Sequence, residues 1–184
     1  YYKLKINHLL TKAVDKRIIG DRPIGCLLSG GLDSSLIAAL VKRHYKGDLH
    51  TWSIGMEGSE DLKYAKIVAD HIGSIHHSIV VTEEEFLSYI PDVIRTIESY
   101  DTTTVRASVG NWLISKYIKE NSEAKVIFNG DGSDEVMGGY MYFYAAPTSL
   151  DFDKECVRLL NDIYFFDVLR SDRSISSHGL EART

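Results

Sequence analysis

Proline and cysteine are scarce in this sequence, basic residues are in the minority, and no long apolar run occurs. Each shortage excludes a class of protein. Three prolines and 14 glycines in 184 residues are too few for a disordered or collagen-like chain. The two cysteines, Cys26 and Cys156, form no Cys-x-x-Cys pair, which argues against a disulfide scaffold or a zinc ribbon. Two buried thiols in a reducing compartment are expected instead. Acidic residues outnumber basic ones, 26 against 21, for a net charge of −5. Without a basic footprint, nucleic acid is not an expected partner. No apolar stretch approaches the roughly 20 residues of a membrane-spanning helix, so no membrane is expected either. The opening Tyr1-Tyr2-Lys3-Leu4-Lys5-Ile6 lacks the apolar core and cleavage site of a secretory signal, and the expected compartment is the cytoplasm. What is present is 44% apolar and 26% charged residues, an ordinary globular balance. The length suits one domain over residues 1–184, with about two-thirds of the unfolded surface buried.

Short apolar runs alternate with helical patterns along the chain. Residues 24–28 read as a strand, followed by a Gly-rich turn at 29–33 and a helix at 34–42 capped by Asp33 or Ser34. A strand at 49–54 and a helix at 61–72 come next, the helix stopped by Gly73. A third strand is expected at 77–81. Thr82 and Glu85 then form a capping-box pair, and Pro91 breaks or restarts the helix that follows. A long helix at 106–120 leads to the strand Val126-Ile127-Phe128 and a second Gly-rich turn at 129–135. A final helix is expected at 153–168, with Cys156, Leu159, Leu160, Ile163 and Tyr164 as its apolar positions. This order predicts an α/β fold with a mostly parallel sheet flanked by helices. Ligands of such sheets bind beyond the carboxyl ends of the strands, where both Gly-rich turns lie, so the two turns are expected to line one crevice.

The sharpest chemical signal is Ser29-Gly30-Gly31-Leu32-Asp33-Ser34-Ser35. Paired glycines let the backbone approach an anion, and the amides of the following helix start favour negative charge at the same place. Three serines add hydroxyl donors. Asp33 is out of place in an anion site unless a divalent cation lies between it and the phosphates. The Gly-Lys-Ser/Thr ending of a Walker A loop is absent.

This segment resembles the pyrophosphate loop, SGGxDS, of the ATP-pyrophosphatase superfamily, whose fold is the adenine-nucleotide α-hydrolase type. Further segments resemble the synthetase domain of glutamine-hydrolysing asparagine synthetases. They are Ser99-Tyr100-Asp101-Thr102-Thr103-Thr104-Val105-Arg106-Ala107-Ser108, Gly130-Asp131-Gly132-Ser133-Asp134-Glu135-Val136, Asp167-Val168-Leu169-Arg170 and His178-Gly179-Leu180-Glu181-Ala182-Arg183. The resemblance covers nearly the whole chain. It implies a ligase for asparagine biosynthesis that works in two steps. The side-chain carboxylate of L-aspartate attacks the α-phosphorus of ATP, with Mg2+, to give β-aspartyl-AMP and pyrophosphate. Ammonia then displaces AMP and leaves L-asparagine.

The resemblance also implies roles for residues. Ser29, Gly30, Gly31, Ser34 and Ser35 would cradle pyrophosphate, while Leu28, Ile54, Asn129 and Gly130 would line the adenosine pocket. Asp33 and Asp134 would hold the metal. Thr103, Thr104, Arg106 and Glu135 would hold the acid substrate, Arg106 as a bidentate carboxylate clamp that also serves the reaction. From spacing alone, Thr103 or Thr104 reads equally well as a helix cap. Asp131 stands where the family usually has a glutamate that handles the ammonia nucleophile. Its reach is shorter by about 1.3 Å, and a small misplacement can cost about 100-fold in rate. As a plain residue, Asp131 reads as a turn-former. Asn129 stands where the family commonly has serine.

The family carries an N-terminal glutaminase domain and continues past the Glu181-Ala182-Arg183 segment, so the chain is expected to be a fragment truncated at both ends. The resemblance allows a homodimer. Two other readings stay open: a relative that adenylates a different carboxylic acid, and a nucleotide-binding domain without catalysis. Other features read as structural. His76-His77 should be partly exposed histidines, Glu83-Glu84-Glu85 a helix start, and Tyr140, Tyr142, Phe143 and Tyr144 core and loop packing.

Overall fold

In an extended chain, side chains alternate between two faces, so Ile24, Cys26 and Leu28 share one side while Gly25 and Leu27 share the other. The computed structural model describes residues 1–165 and 167–183, with the side chains of Tyr164, Asp167, Val168 and Leu169 outside the description. The strands are β1 (Ile24–Leu27), β2 (His50–Gly55), β3 (Ile75–Val80), β4 (Val126–Phe128) and β5 (Glu181–Arg183). They form one sheet in the order β3-β2-β1-β4-β5, and every neighbouring pair is parallel. Gly25 lies opposite His50 on one side and Ile127 on the other, which centres β1 in the sheet.

Helices cover both faces, as a parallel sheet requires. On one face lie α1 (Tyr2–Arg17), α2 (Leu32–His44) and α3 (Glu60–Ile72). Their Val14, Ala38, Val41, Ala65 and Ala69 pack with Ile24, Cys26, Leu28, Val126 and Phe128. After α4 (Glu83–Ser88) and α5 (Ile90–Ile97), the long α6 (Thr102–Asn121) crosses the other face. There Ile114 and Ile118 meet Trp52 and Ile127, joined by Ile175 of α9 (Asp167–Ser176). Val93 and Ile97 of α5 pack on Val109 and Leu113 of α6. Full burial of one such side chain, as for Phe128, contributes about 1.5–3 kcal/mol. The short α7 (Ser133–Met137) and α8 (Ser149–Asp162) lie between β4 and α9 in the chain. Both cysteines are free, Cys26 fully buried and Cys156 half-buried, and burial pushes the Cys26 thiol up.

Local signals placed several boundaries correctly. Gly73 ends α3 in the left-handed conformation, the Thr82 hydroxyl accepts from the Glu85 amide at 3.1 Å, and Pro91 sits in the first turn of α5. Others moved. α2 is capped at Gly31 with no side-chain bond, not by Asp33 or Ser34, because the Ser34 hydroxyl is engaged in the preceding turn. α6 starts at Thr102, since the Asp101 carboxylate accepts from the Thr104 amide at 2.8 Å and caps it there. β3 starts at Ile75, where pairing with His50 begins. Instead of one helix at 153–168, α8 starts after a Thr148 cap and ends at Asp162, a 3-10 turn covers Ile163–Phe165, and α9 follows. The expected apolar role of the Tyr164 side chain lies outside the described residues. α1 was not anticipated, because it buries only Val14 and its apolar stripe is weak. Phe143 is buried as expected, but Tyr144 is exposed.

On the outer strands, His50 Nδ1 and His77 Nε2 lie 2.9 Å apart, with both rings stacked along Trp52. His76 bridges the Thr51 and Ser53 hydroxyls at 2.9 and 3.1 Å.

The chain leaves β1 toward β2 on one side, while β4 flanks β1 on the other, so the topological switch point lies between the carboxyl ends of β1 and β4. Gly130, just after β4, meets the first turn of α2 there. A Cβ on it would lie 2.8 Å from the Ser34 amide nitrogen and 3.1 Å from the Asp33 carbonyl carbon.

Gly130→Ala should therefore destabilise the domain by about 1–3 kcal/mol, read as a Tm lower by several degrees. An unchanged Tm would mean that the two turns can separate freely. A second expectation concerns pH. Burial lowers the affinity of His76 and His77 for protons, aided by Lys66 and His77 beside the first and by His50 beside the second. The unfolded chain then binds protons more readily below pH about 6.5. Stability is fully present above that value and falls as pH drops toward the folded values. Melting curves from pH about 7.5 to 5 should show this decline, and His77→Gln should make it shallower. An equal slope in both proteins would contradict the assignment.

Candidate functional site at the switch point

The turn after β1 is held by its own hydroxyls. The Ser29 and Ser34 Oγ atoms are 2.9 Å apart, the Ser29 amide donates to Ser34 Oγ, and the Gly31 amide donates to Ser29 Oγ at 3.3 Å. Gly30 has φ of 83°, and its Cα faces the α3 backbone so closely that a Cβ would lie 2.5 Å from the Ala65 nitrogen. Only glycine reconciles that dihedral with that contact. The amides of Leu32, Asp33 and Ser34 open α2 and have no acceptor within the helix, which makes this end an anion-favouring one.

The turn after β4 carries the acids. A crevice of about 800 Å³ runs between it and α2, with α1 as its outer wall. Asp33, Asn129, Gly130, Asp131 and Asp134 line it together, as expected for two turns sharing one cleft. Leu10, Val14, Leu36, Ile37, Val136 and Met137 supply apolar walls, and Arg17 and Arg183 stand at the same rim. The Arg183 guanidinium pairs with Glu181 and donates to the Arg17 carbonyl at 3.4 Å, which ties β5 to the end of α1. Asn129 is only 4% exposed. Its Oδ1 accepts from the Asp131 amide at 3.3 Å, while its Nδ2 has no partner among the described residues.

Asp131 is held by side chains from two distant helices. Its Oδ2 accepts from the Ser171 hydroxyl of α9 and from Asn111 Nδ2 of α6 at 3.4 Å, and Asn111 also donates to Ser171 at 3.0 Å. Neither partner carries a local motif. Asn111 sits inside a long helical pattern and Ser171 inside a helix that was not anticipated from pattern, so only the packing of α6 on α9 brings them together.

Other expected site residues stand outside the crevice wall. Leu28 is buried, its amide extending the ladder to the Trp52 carbonyl at 2.8 Å, and Ile54 packs between the clusters beneath α6. Ser29, Gly30, Gly31, Ser34 and Ser35 form the adjoining turn, and Ser35 Oγ is buried with no partner among the described residues. Gly110 of α6 meets Ile54 at the carboxyl end of β2, so the helix start lies beyond that same end of the sheet. Thr103 and Arg106 are exposed there, and Arg106 has no hydrogen bond or ion pair among the described residues. Thr104 spends its amide and hydroxyl on Asp101 at 2.8 Å each, so it follows the cap rather than being it. Glu135 is 1% exposed behind the wall. It accepts from the Tyr140 hydroxyl through Oε1, and its Oε2 has no partner among the described residues.

Three carboxylates and two guanidinium groups thus meet at one rim, beside a helix N-terminus. A polyphosphate could not rest against Asp33 and Asp134 without a cation between. Two carboxylates with phosphate oxygens and water are an ordinary magnesium set, and no group of three or more acids, histidines or cysteines suited to a metal occurs among the described residues. No helix among them is long and apolar enough to cross a membrane.

Comparisons with known proteins bear on the fold and the family. The U34-tRNA thiolase of Methanococcus maripaludis has a similar fold, with a TM-score of 0.50 and 14% identity over 92% of this chain and 73% of that one. That likeness is one of fold: a parallel sheet flanked by helices. Glutamine-hydrolysing asparagine synthetases of Bos taurus and Homo sapiens are each 51% identical over 98% of this chain. The chain spans 33% of the length of those relatives. The model of the asparagine synthase family matches residues 5–154, most of the chain, and with the relatives it establishes that the chain belongs to the asparagine synthase family.

Proposed function

We propose that this chain carries the ATP-dependent, amide-forming part of a ligase that converts L-aspartate to L-asparagine. The observation that carries the reading is the meeting of two Gly-rich turns at the switch point, one offering amides and hydroxyls and the other carboxylates, in a chain of this family. In the first step an oxygen of the aspartate side-chain carboxylate bonds to the α-phosphorus of ATP. The bond from that phosphorus to the bridging oxygen breaks, and pyrophosphate leaves with the electron pair. Ser29, Gly30, Gly31, Ser34, Ser35 and the first amides of α2 would hold the departing group. Leu28, Ile54, Asn129 and Gly130 would bound the nucleoside, and the buried, unpartnered Nδ2 of Asn129 is a donor suited to that task.

Asp33 and Asp134 would hold Mg2+, which supplies charge neutralisation on the phosphates. In the second step the nitrogen of ammonia bonds to the acyl carbon, AMP leaves, and a proton is lost from nitrogen. Asp131 would receive that proton or orient the nucleophile. Thr103, Thr104, Arg106 and Glu135 would hold the acid. Ammonia would come from a glutaminase domain in the full-length protein, in the cytoplasm, and a homodimer suits the reading. Because Thr103, Thr104 and Arg106 stand off the crevice wall, a second reading keeps the chemistry and changes the acid.

The test is exchange of labelled pyrophosphate into ATP, with magnesium and a panel of carboxylic acids, on the longest natural chain that contains this segment. Exchange that requires L-aspartate is expected, and exchange with another acid alone would favour the second reading. Asp33→Ala should lower the aspartate-dependent rate by about 100-fold or more. Unchanged exchange in that variant would remove Asp33 from the metal site. Asp131→Ala should spare exchange while lowering asparagine formation, and equal loss of both steps would remove its role with ammonia.

A further inference from the structure

The carboxylate of Asp131 lines the crevice and is tied to both α6 and α9 on the far face of the sheet. The Ser171 side chain is fully buried, and its hydroxyl donates to Asp131 Oδ2. Asn111, half-buried on α6, donates to that same oxygen at 3.4 Å and to Ser171 Oγ at 3.0 Å, closing a triangle of side chains. From the crevice side, the Asn129 side chain accepts the Asp131 amide at 3.3 Å and sets the turn. The carboxylate is thus fixed at both ends: its backbone by the turn, and one of its oxygens by donors from α6 and α9. A short acid side chain anchored in this way has little freedom to rotate, and hydrogen bonds to a carboxylate are among the stronger ones. Precise placement is what a short side chain needs to act on a bound nucleophile, because rate falls steeply with sub-ångström to ångström misplacement.

We infer that Asn111 and Ser171 are positioning residues for the amide-forming step. They hold the Asp131 carboxylate at the crevice so that an aspartate serves there. The inference rests on the proposed role of Asp131 with ammonia. It implies that Ser171 and Asn111 matter after adenylation, not for it, although neither itself lines the crevice.

The test uses the longest natural chain that contains this segment, with Ser171→Ala, Ser171→Thr, Asn111→Ala and Asp131→Ala, and the first of these combined with the last. Two rates are read for each: L-aspartate-dependent pyrophosphate exchange, and asparagine formation at saturating ammonia. Melting curves accompany them as a check of folding. Ser171→Ala and Asn111→Ala should lower asparagine formation by about 10–100-fold and leave exchange within about twofold of the parent. Ser171→Thr, which keeps the hydroxyl, should restore most of the amide-forming rate. The double variant should be no slower than Asp131→Ala alone, since residues acting through one group do not add. If Asp131→Ala impairs asparagine formation while Ser171→Ala and Asn111→Ala do not, or if the losses multiply in the double variant, the positioning role is overturned and the functional reading stands. Equal loss of exchange and amide formation in Ser171→Ala and Asn111→Ala also overturns it, as a general structural defect would produce that pattern. If Asp131→Ala itself leaves asparagine formation unchanged, the reading of Asp131 fails and the positioning role fails with it. Should one variant fail to fold, the other carries the same comparison.

Discussion

The backbone of Gly130 lies against the first turn of α2, closer than any side chain would allow. This contact joins the turn after β1 to the turn after β4 at the one place where the sheet changes direction. Ligands of parallel sheets bind beyond the carboxyl ends of the strands, so the loops there come first to the site. Because these two loops touch, Asp33 from one and Asp131 and Asp134 from the other share a crevice. A wider separation would leave an isolated helix start on one side and an isolated acid loop on the other.

The charges around the crevice follow from that approach. A helix N-terminus favours an anion, yet acids gather beside it. Phosphate oxygens together with a divalent cation would satisfy both at once. Arg17 and Arg183 add positive charge at the rim, and they come from the first helix and the last strand of the described chain. Distant segments therefore set the electrostatics of one cleft. The far face of the sheet contributes too, since α6 and α9 send Asn111 and Ser171 to Asp131.

Local rules explain why much of this was legible from residues alone. Gly-Gly beside serines marks a tight turn that approaches anions, and alternating apolar strands and helices mark a parallel sheet. Gly73, Thr82 and Pro91 act within a few residues of themselves, so their effects were readable. The shared crevice was also expected, because ligand sites in such sheets follow from topology. Boundaries that depend on competition shifted. Ser34 did not cap α2 because its hydroxyl joins Ser29, and α6 began four residues early because Asp101 won the cap. α1 and β5 stayed hidden: the first has one buried residue, and the second is three residues long and exists through pairing with β4.

The sequence by itself determined which donors, acids and glycines stand at fixed short spacings, and the family to which the chain belongs. Only the tertiary structure decided which of those residues stand in one cleft. It gathered Asp33, Asn129, Gly130, Asp131 and Asp134, set Ser29, Gly30, Gly31, Ser34 and Ser35 in the adjoining turn, and left Leu28, Ile54, Thr103, Thr104, Arg106 and Glu135 outside the wall. It also recruited Asn111 and Ser171, separated by 60 positions, to hold one carboxylate. The reason is physical. Motifs encode what neighbours along the chain can do, whereas the meeting of α6, α9 and the turn after β4 is set by burial of apolar faces on a common sheet. That burial is blind to the polar groups it happens to bring together.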